Sequence, residues 1–174
     1  MAKLRKFAAY RRVERPYTRK SKYKKKSFVK APPNMRIVTF DMGNLQKTFE
    51  YSMHLCAKTH LQIRHNALES ARQTSNRFLE KALGKGGYSM KVRVYPHHVL
   101  RENPLAAGAG ADRMSTGMQL AFGKAIGLAA QVKEGQPIFT VCVDKANIAP
   151  GRIALERASK KLPCTCRVVI EGNL

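Results

Sequence analysis

The stretch that decides the fold is HNALESARQTSNRFLEKALGKGGYSMKVRVY, residues 65–95. Its period changes partway. Ala67, Leu68, Ala71, Phe78, Leu79, Ala82 and Leu83 fall on one helical face, the mark of an amphipathic helix. Asn66 with Glu69 three residues on makes a capping-box pattern at its start. Arg72, Arg77 and Lys81 lie off the apolar stripe, and Gly84 is a natural C-terminal cap. From Tyr88 the period is two. Tyr88, Met90, Val92 and Val94 face one way, and Ser89, Lys91, Arg93 and Tyr95 the other. That is a half-buried strand with a basic outer face. A helix that buries one stripe beside a strand that buries one face calls for helix laid on sheet.

Strands are predicted over 36–40, 48–57, 127–132, 137–144 and 165–171, with a turn at Asp41-Met42-Gly43-Asn44. A second helix is predicted over 147–161, with Ile148, Ile153, Leu155, Ala158 and Leu162 as its apolar residues. The predicted fold class is therefore α+β: a two-layer sandwich of a mainly antiparallel sheet and two packed helices, plus an extended basic N-terminal arm. Residues 1–34 are the arm. Residues 35–174 are a single α+β domain with a long irregular loop at 101–117. No internal repeat is present.

The charge is uneven. The 174 residues hold 33 Lys and Arg against 11 Asp and Glu, a formal net charge of +22. Residues 1–30 hold 13 of those cations and one acid, Glu14, and so carry +12. Phe7, Tyr10, Tyr17, Tyr23 and Phe28 are interleaved with them. Cations neutralise phosphates and flat rings stack on bases, so this pattern points to RNA. The candidate contacts are Lys3, Arg5, Lys6, Arg11, Arg12, Arg15, Tyr17, Arg19, Lys20, Lys22, Tyr23, Lys24, Lys25 and Lys26. Lys91 and Arg93 join them from the basic strand face, and Lys124 from beyond the long loop. Such an arm, fully extended, reaches up to roughly 100 Å and orders on binding.

Other classes find little support. No run approaches the roughly 18 apolar residues of a membrane span, and the basic N-terminus leads into no signal-like apolar region. Cys56, Cys142, Cys164 and Cys166, with no secretory cue, read as reduced cytosolic thiols. Neighbours on an extended chain point apart, so His97 and His98 do not share a ligand; one buried and one RNA-facing imidazole is expected. Cys164-Thr165-Cys166 has no second close pair to complete a zinc site, and on alternation both thiols face one side. Gly108-x-Gly110 meets Arg113 where a dinucleotide motif needs glycine, and Gly123-Lys124 meets Ala125 where a phosphate loop needs Ser or Thr. No nucleophile elbow or catalytic carboxylate pair occurs. Glu102 and Asp112 each have an arginine beside them, Arg101 and Arg113, and structural pairing is expected. No cofactor, metal or small-molecule substrate is called for. An RNA-modifying enzyme and a free-standing nucleic-acid chaperone are the rivals to a structural RNA-binding protein.

Gly110-Ala111-Asp112-Arg113-Met114-Ser115-Thr116-Gly117-Met118, continuing to Ala121-Phe122-Gly123-Lys124, resembles the signature of large-subunit ribosomal protein L-ten-e, the archaeal and eukaryotic family homologous to bacterial L-sixteen. Val92 to Arg101 and the arm segment Arg15-Pro16-Tyr17-Thr18-Arg19 are similar too. Gln119-Leu120 and Ala125, where the eukaryotic branch has Arg-Gly and Pro, mark the archaeal branch. The resemblance implies a non-enzymatic constituent of the cytoplasmic large ribosomal subunit. It implies rRNA, tRNA and neighbouring ribosomal proteins as partners, near the A-site tRNA and the peptidyl-transferase region. It makes Arg101, Asn103, Gly108, Gly110, Arg113 and Ser115 the tRNA-proximal loop residues.

Overall fold

A computed structural model describes residues 4–18, 23, 29, 31–103 and 122–172. Among them are β1 (Asp41–Gly43), β2 (Tyr51–Ala57), β3 (Leu61–Arg64), α1 (His65–Leu83), β4 (Tyr88–Val92), β5 (His98–Glu102), β6 (Lys124–Val132), β7 (Pro137–Val143), α2 (Ile148–Ser159) and β8 (Cys166–Gly172). The strands make two antiparallel sheets, in the orders β1-β4-β7-β2-β8 and β3-β6-β5. The α+β sandwich with two helices holds, with a second, smaller sheet beside the first.

The period change marks a real boundary. α1 ends at Leu83, Gly84 takes a positive φ of 69°, and its N–H donates to the Glu80 carbonyl at 3.0 Å. Tyr88, Met90, Val92 and Val94 are buried, while Lys91, Arg93 and Tyr95 are exposed. Leu68, Ala71 and Leu79 of α1 and Ala154, Leu155 and Ala158 of α2 pack in one cluster with Met53, Leu55, Met90, Phe139 and Val141 of the large sheet. Burying each large side chain there contributes about 1.5–3 kcal/mol.

Several expectations need correction. Residues 36–40 are not a strand; the ladder begins at Asp41, where the sequence pattern predicts a turn. The Val38 N–H goes to Glu69 Oε2 of α1 at 3.4 Å rather than to a neighbouring strand. α1 has no side-chain cap: Arg64 stands at the N-cap, and Asn66 Oδ1 accepts only from the adjacent Ala67 N–H. Glu69 is instead bound to Arg72, which is buried despite lying off the apolar stripe. Arg72 Nε and Nη2 donate to the two Glu69 oxygens at 2.8 and 2.6 Å, and Nη1 reaches Met42 Sδ at 3.2 Å. The hydrogen bond from Arg72 holds the Glu69 carboxyl below the usual carboxylate range. Ala82 and Ile153 are exposed rather than part of the core. β3 has no counterpart among the predicted strands, and β5 extends into the predicted loop, so Arg101 and Glu102 are strand residues.

Candidate RNA interface

The first described residues run across the small sheet. The arm touches both edges: the Gln62 N–H of β3 donates to the Arg11 carbonyl at 3.4 Å, and the Val99 N–H of β5 to the Tyr17 carbonyl at 2.9 Å. Between them, Gln62 Nε2 donates to the carbonyls of Tyr10 and Arg12. Gln131, opposite Gln62 in the register, donates from Nε2 to the Glu14 carbonyl at 2.6 Å and to Gln62 Oε1 at 3.2 Å. Two adjacent glutamines thus bind backbone oxygens. Edge strands exposed to solvent invite mispairing, and here the arm covers both.

Binding by backbone frees the side chains. Lys6, Arg11, Arg12 and Arg15 are exposed, while Tyr10 and Tyr17 turn inward. Tyr10 is buried; its hydroxyl donates to Glu102 Oε1 at 2.8 Å and accepts from the Arg5 N–H at 3.0 Å. Burial pushes the Tyr10 phenol pKa up. This part of the arm is therefore seated on its own domain, and these two rings are taken up by protein contacts. Their hydrophobic surface is large enough to anchor the segment.

Glu102 does not pair with Arg101. Its partner is Arg5, whose Nε lies 2.9 Å from Oε2. Arg101 is held between two rings instead: its guanidinium carbon lies 3.8 Å from the Tyr17 centroid and 4.1 Å from that of Phe122. Arg101 Nη1 also donates to the Phe122 carbonyl at 2.9 Å. Tyr17 and Phe122 meet edge to face. Arg101 so links the arm, β5 and the chain's return at Phe122. The expectation for the histidine pair holds in burial: His98 is buried and His97 exposed. His98 Nδ1 accepts from the Tyr17 N–H at 2.9 Å, and burial lowers its pKa.

The second patch lies on the outer face of β4. Lys91, Arg93 and Tyr95 alternate outward. Lys91 Nζ lies 3.3 Å from Asp41 Oδ1. Phe40 stacks on Tyr95 at 5.4 Å with planes 17° apart, and the His97 ring sits 4.5 Å from Tyr95. Cations beside an exposed cluster of rings suit the phosphates and bases of RNA. The sequence pattern alone does not single out Phe40, Tyr95 and His97 as one group. Lys124 is exposed at the start of β6, and Asn103 follows β5 directly. Tyr23 is exposed. Lys3, Arg19, Lys20, Lys22, Lys24, Lys25, Lys26, Gly108, Gly110, Arg113 and Ser115 lie outside the described residues. No three His, Cys, Asp or Glu side chains among the described residues are placed to hold a metal ion. No described helix is long and apolar enough to cross a membrane.

A family model described as ribosomal protein L16p/L10e matches residues 16–169. The chain belongs to this family of ribosomal proteins. Curated relatives named large ribosomal subunit protein uL16 agree. That of Methanococcus aeolicus is 44% identical over 167 residues, covering 96% of this chain and 94% of its own. That of Methanocella arvoryzae is 49% identical over 149 residues, covering 86% and 87%. That of Archaeoglobus fulgidus is 43% identical over 162 residues, covering 93% and 90%. All three are archaeal, in line with the archaeal branch expected from residues 119, 120 and 125. Membership makes this a structural protein of the cytoplasmic ribosome rather than an enzyme.

Proposed function

We propose that this L16p/L10e protein is a constituent of the large ribosomal subunit that binds its rRNA beside the A-site tRNA and the peptidyl-transferase region, and helps position tRNA. The observation that carries the rRNA part is the seating of the arm. Its carbonyls bind the domain through Gln62 and Gln131, and Arg11, Arg12 and Arg15 are all left exposed on the seated segment. The domain thereby presents cations on a held segment rather than a loose tail, and less ordering entropy is lost when phosphates bind. The Lys91–Arg93–Tyr95 face supplies a second contact of the same chemistry.

The role beside tRNA rests on the resemblance of residues 110–124 and on the placement of the intervening segment. It leaves β5 at Asn103 and returns at Phe122, and Arg101 joins the two ends.

Salt titration of rRNA binding by the full-length protein tests the first part. Replacing Arg11, Arg12 and Arg15 with Gln lowers the slope of log K against log salt by about 0.7–0.9 for each phosphate no longer neutralised. An unchanged slope overturns the role given to these cations. Shortening 104–111 tests the second part. Large subunits then still incorporate the protein, but tRNA accommodation or peptide transfer slows; normal translation refutes it.

A further inference from the structure

The cysteines are free thiols, and three gather at one end of the large sheet. Cys56 lies on β2, Cys166 faces Ala57 across the β2–β8 pairing, and Cys164 stands just before β8. The Sγ atoms of Cys164 and Cys166 are 3.5 Å apart, and both residues are half-buried. A disulfide closes at about 2 Å, so the two sulfurs need to approach by only about 1.5 Å. Two cations border the pair. The Lys58 N–H donates to the Thr165 carbonyl at 3.0 Å, Arg167 follows directly, and the Lys58 and Arg167 side chains are exposed. A cleft of about 280 Å³ lined by Cys56, Ala57, Lys58, Glu134, Gly135 and Arg167 opens beside the pair.

We propose that Cys164 and Cys166 form a redox-modification site, a dithiol that closes to an internal disulfide by exchange with a small anionic disulfide. Local positive charge draws such a reagent in. Either sulfur can donate while both are thiols, but once Cys164 loses its proton only Cys166 can, and that hydrogen bond lowers the Cys164 pKa and makes it the attacking thiolate. Its sulfur bonds to one sulfur of the reagent, the reagent's S–S bond breaks, and the released thiolate takes a proton from water. Cys166 keeps its proton while it donates to the Cys164 thiolate. Once Cys164 is in the mixed disulfide that hold is gone. Cys166 then gives its proton to water and attacks Cys164 Sγ, and the second reagent thiol leaves. Two protein thiols are oxidised and one reagent disulfide is reduced to two thiols.

The test uses the full-length protein carrying Cys56→Ser and Cys142→Ser, treated with oxidised glutathione. The tryptic peptide 162–167 becomes about 2 Da lighter with no lasting glutathionyl adduct, and dithiothreitol restores it. Adding Cys166→Ser to that background traps the adduct on Cys164. A persistent adduct in the parent, or an unreacted peptide, overturns the proposal.

Discussion

The apolar core, which both sheets share, and the seat of the arm on the small sheet are held by different mixes of forces. The five-stranded sheet and its helices meet through Met53, Leu55, Leu68, Leu79, Phe139 and Leu155, all fully buried. The three-stranded sheet meets the arm through the packing of Tyr10 and Tyr17 and, beyond that, through glutamine side chains, a histidine acceptor and a guanidinium between rings. Apolar burial is non-directional and sums over area. Hydrogen bonds to single carbonyls are directional, and each contributes modestly. The first half therefore sets whether the protein folds, and the second sets where its cations point.

Phe139→Ala gives the largest expected effect. It leaves a cavity at the centre of the large sheet and costs about 3–5 kcal/mol, seen as a lower urea midpoint with both halves unfolding together. Gln62→Leu comes next. It strips a donor from the carbonyls of Tyr10 and Arg12 at about 1–3 kcal/mol. Exchange at the amides of position 62 and Tyr17, which bond between arm and sheet, then speeds up while α1 stays protected; equal loss in α1 would erase the distinction between the halves.

The smallest effect is a local response to acid. His98 is buried with its pKa below the ordinary value of 6.5, first through desolvation, with Arg101 lowering and Glu14 raising it. The folded state thus favours the neutral ring. Its contribution is full above about pH 6.5 and is lost as pH falls through the depressed folded value. Protonation at Nδ1 also removes the acceptor for the Tyr17 N–H. Exchange at Tyr17, corrected for the intrinsic pH dependence, should rise on acidification in the native protein and stay flat in His98→Gln.

Legibility in the sequence follows the same division. α1, β4 and α2 are plain because periodicity records apolar burial. β3 is hidden because four residues running straight into a helix show no period of their own. β5 is hidden by the loop-like composition after Asn103. Glu69 looks like a cap because its spacing from Asn66 fits one, yet its charge is used on Arg72 and Val38. The arm's cations are legible as a sum. Which of its aromatics turn inward is not, because the partners of Tyr10 and Tyr17 are Glu102 and His98, 92 and 81 residues away.

Gly123 has a φ of +73°, and a Cβ there would lie 2.8 Å from the Asn103 backbone nitrogen and 2.5 Å from the Glu102 carbonyl carbon. The chain therefore leaves and re-enters the domain at almost one point, with Glu102 opposite Lys124 in the β5–β6 ladder. Whatever lies between is mounted like an exchangeable tool in a fixed chuck. The register of β5 and β6 is thus fixed on both sides of this point by the ladder itself, provided glycine stays at 123.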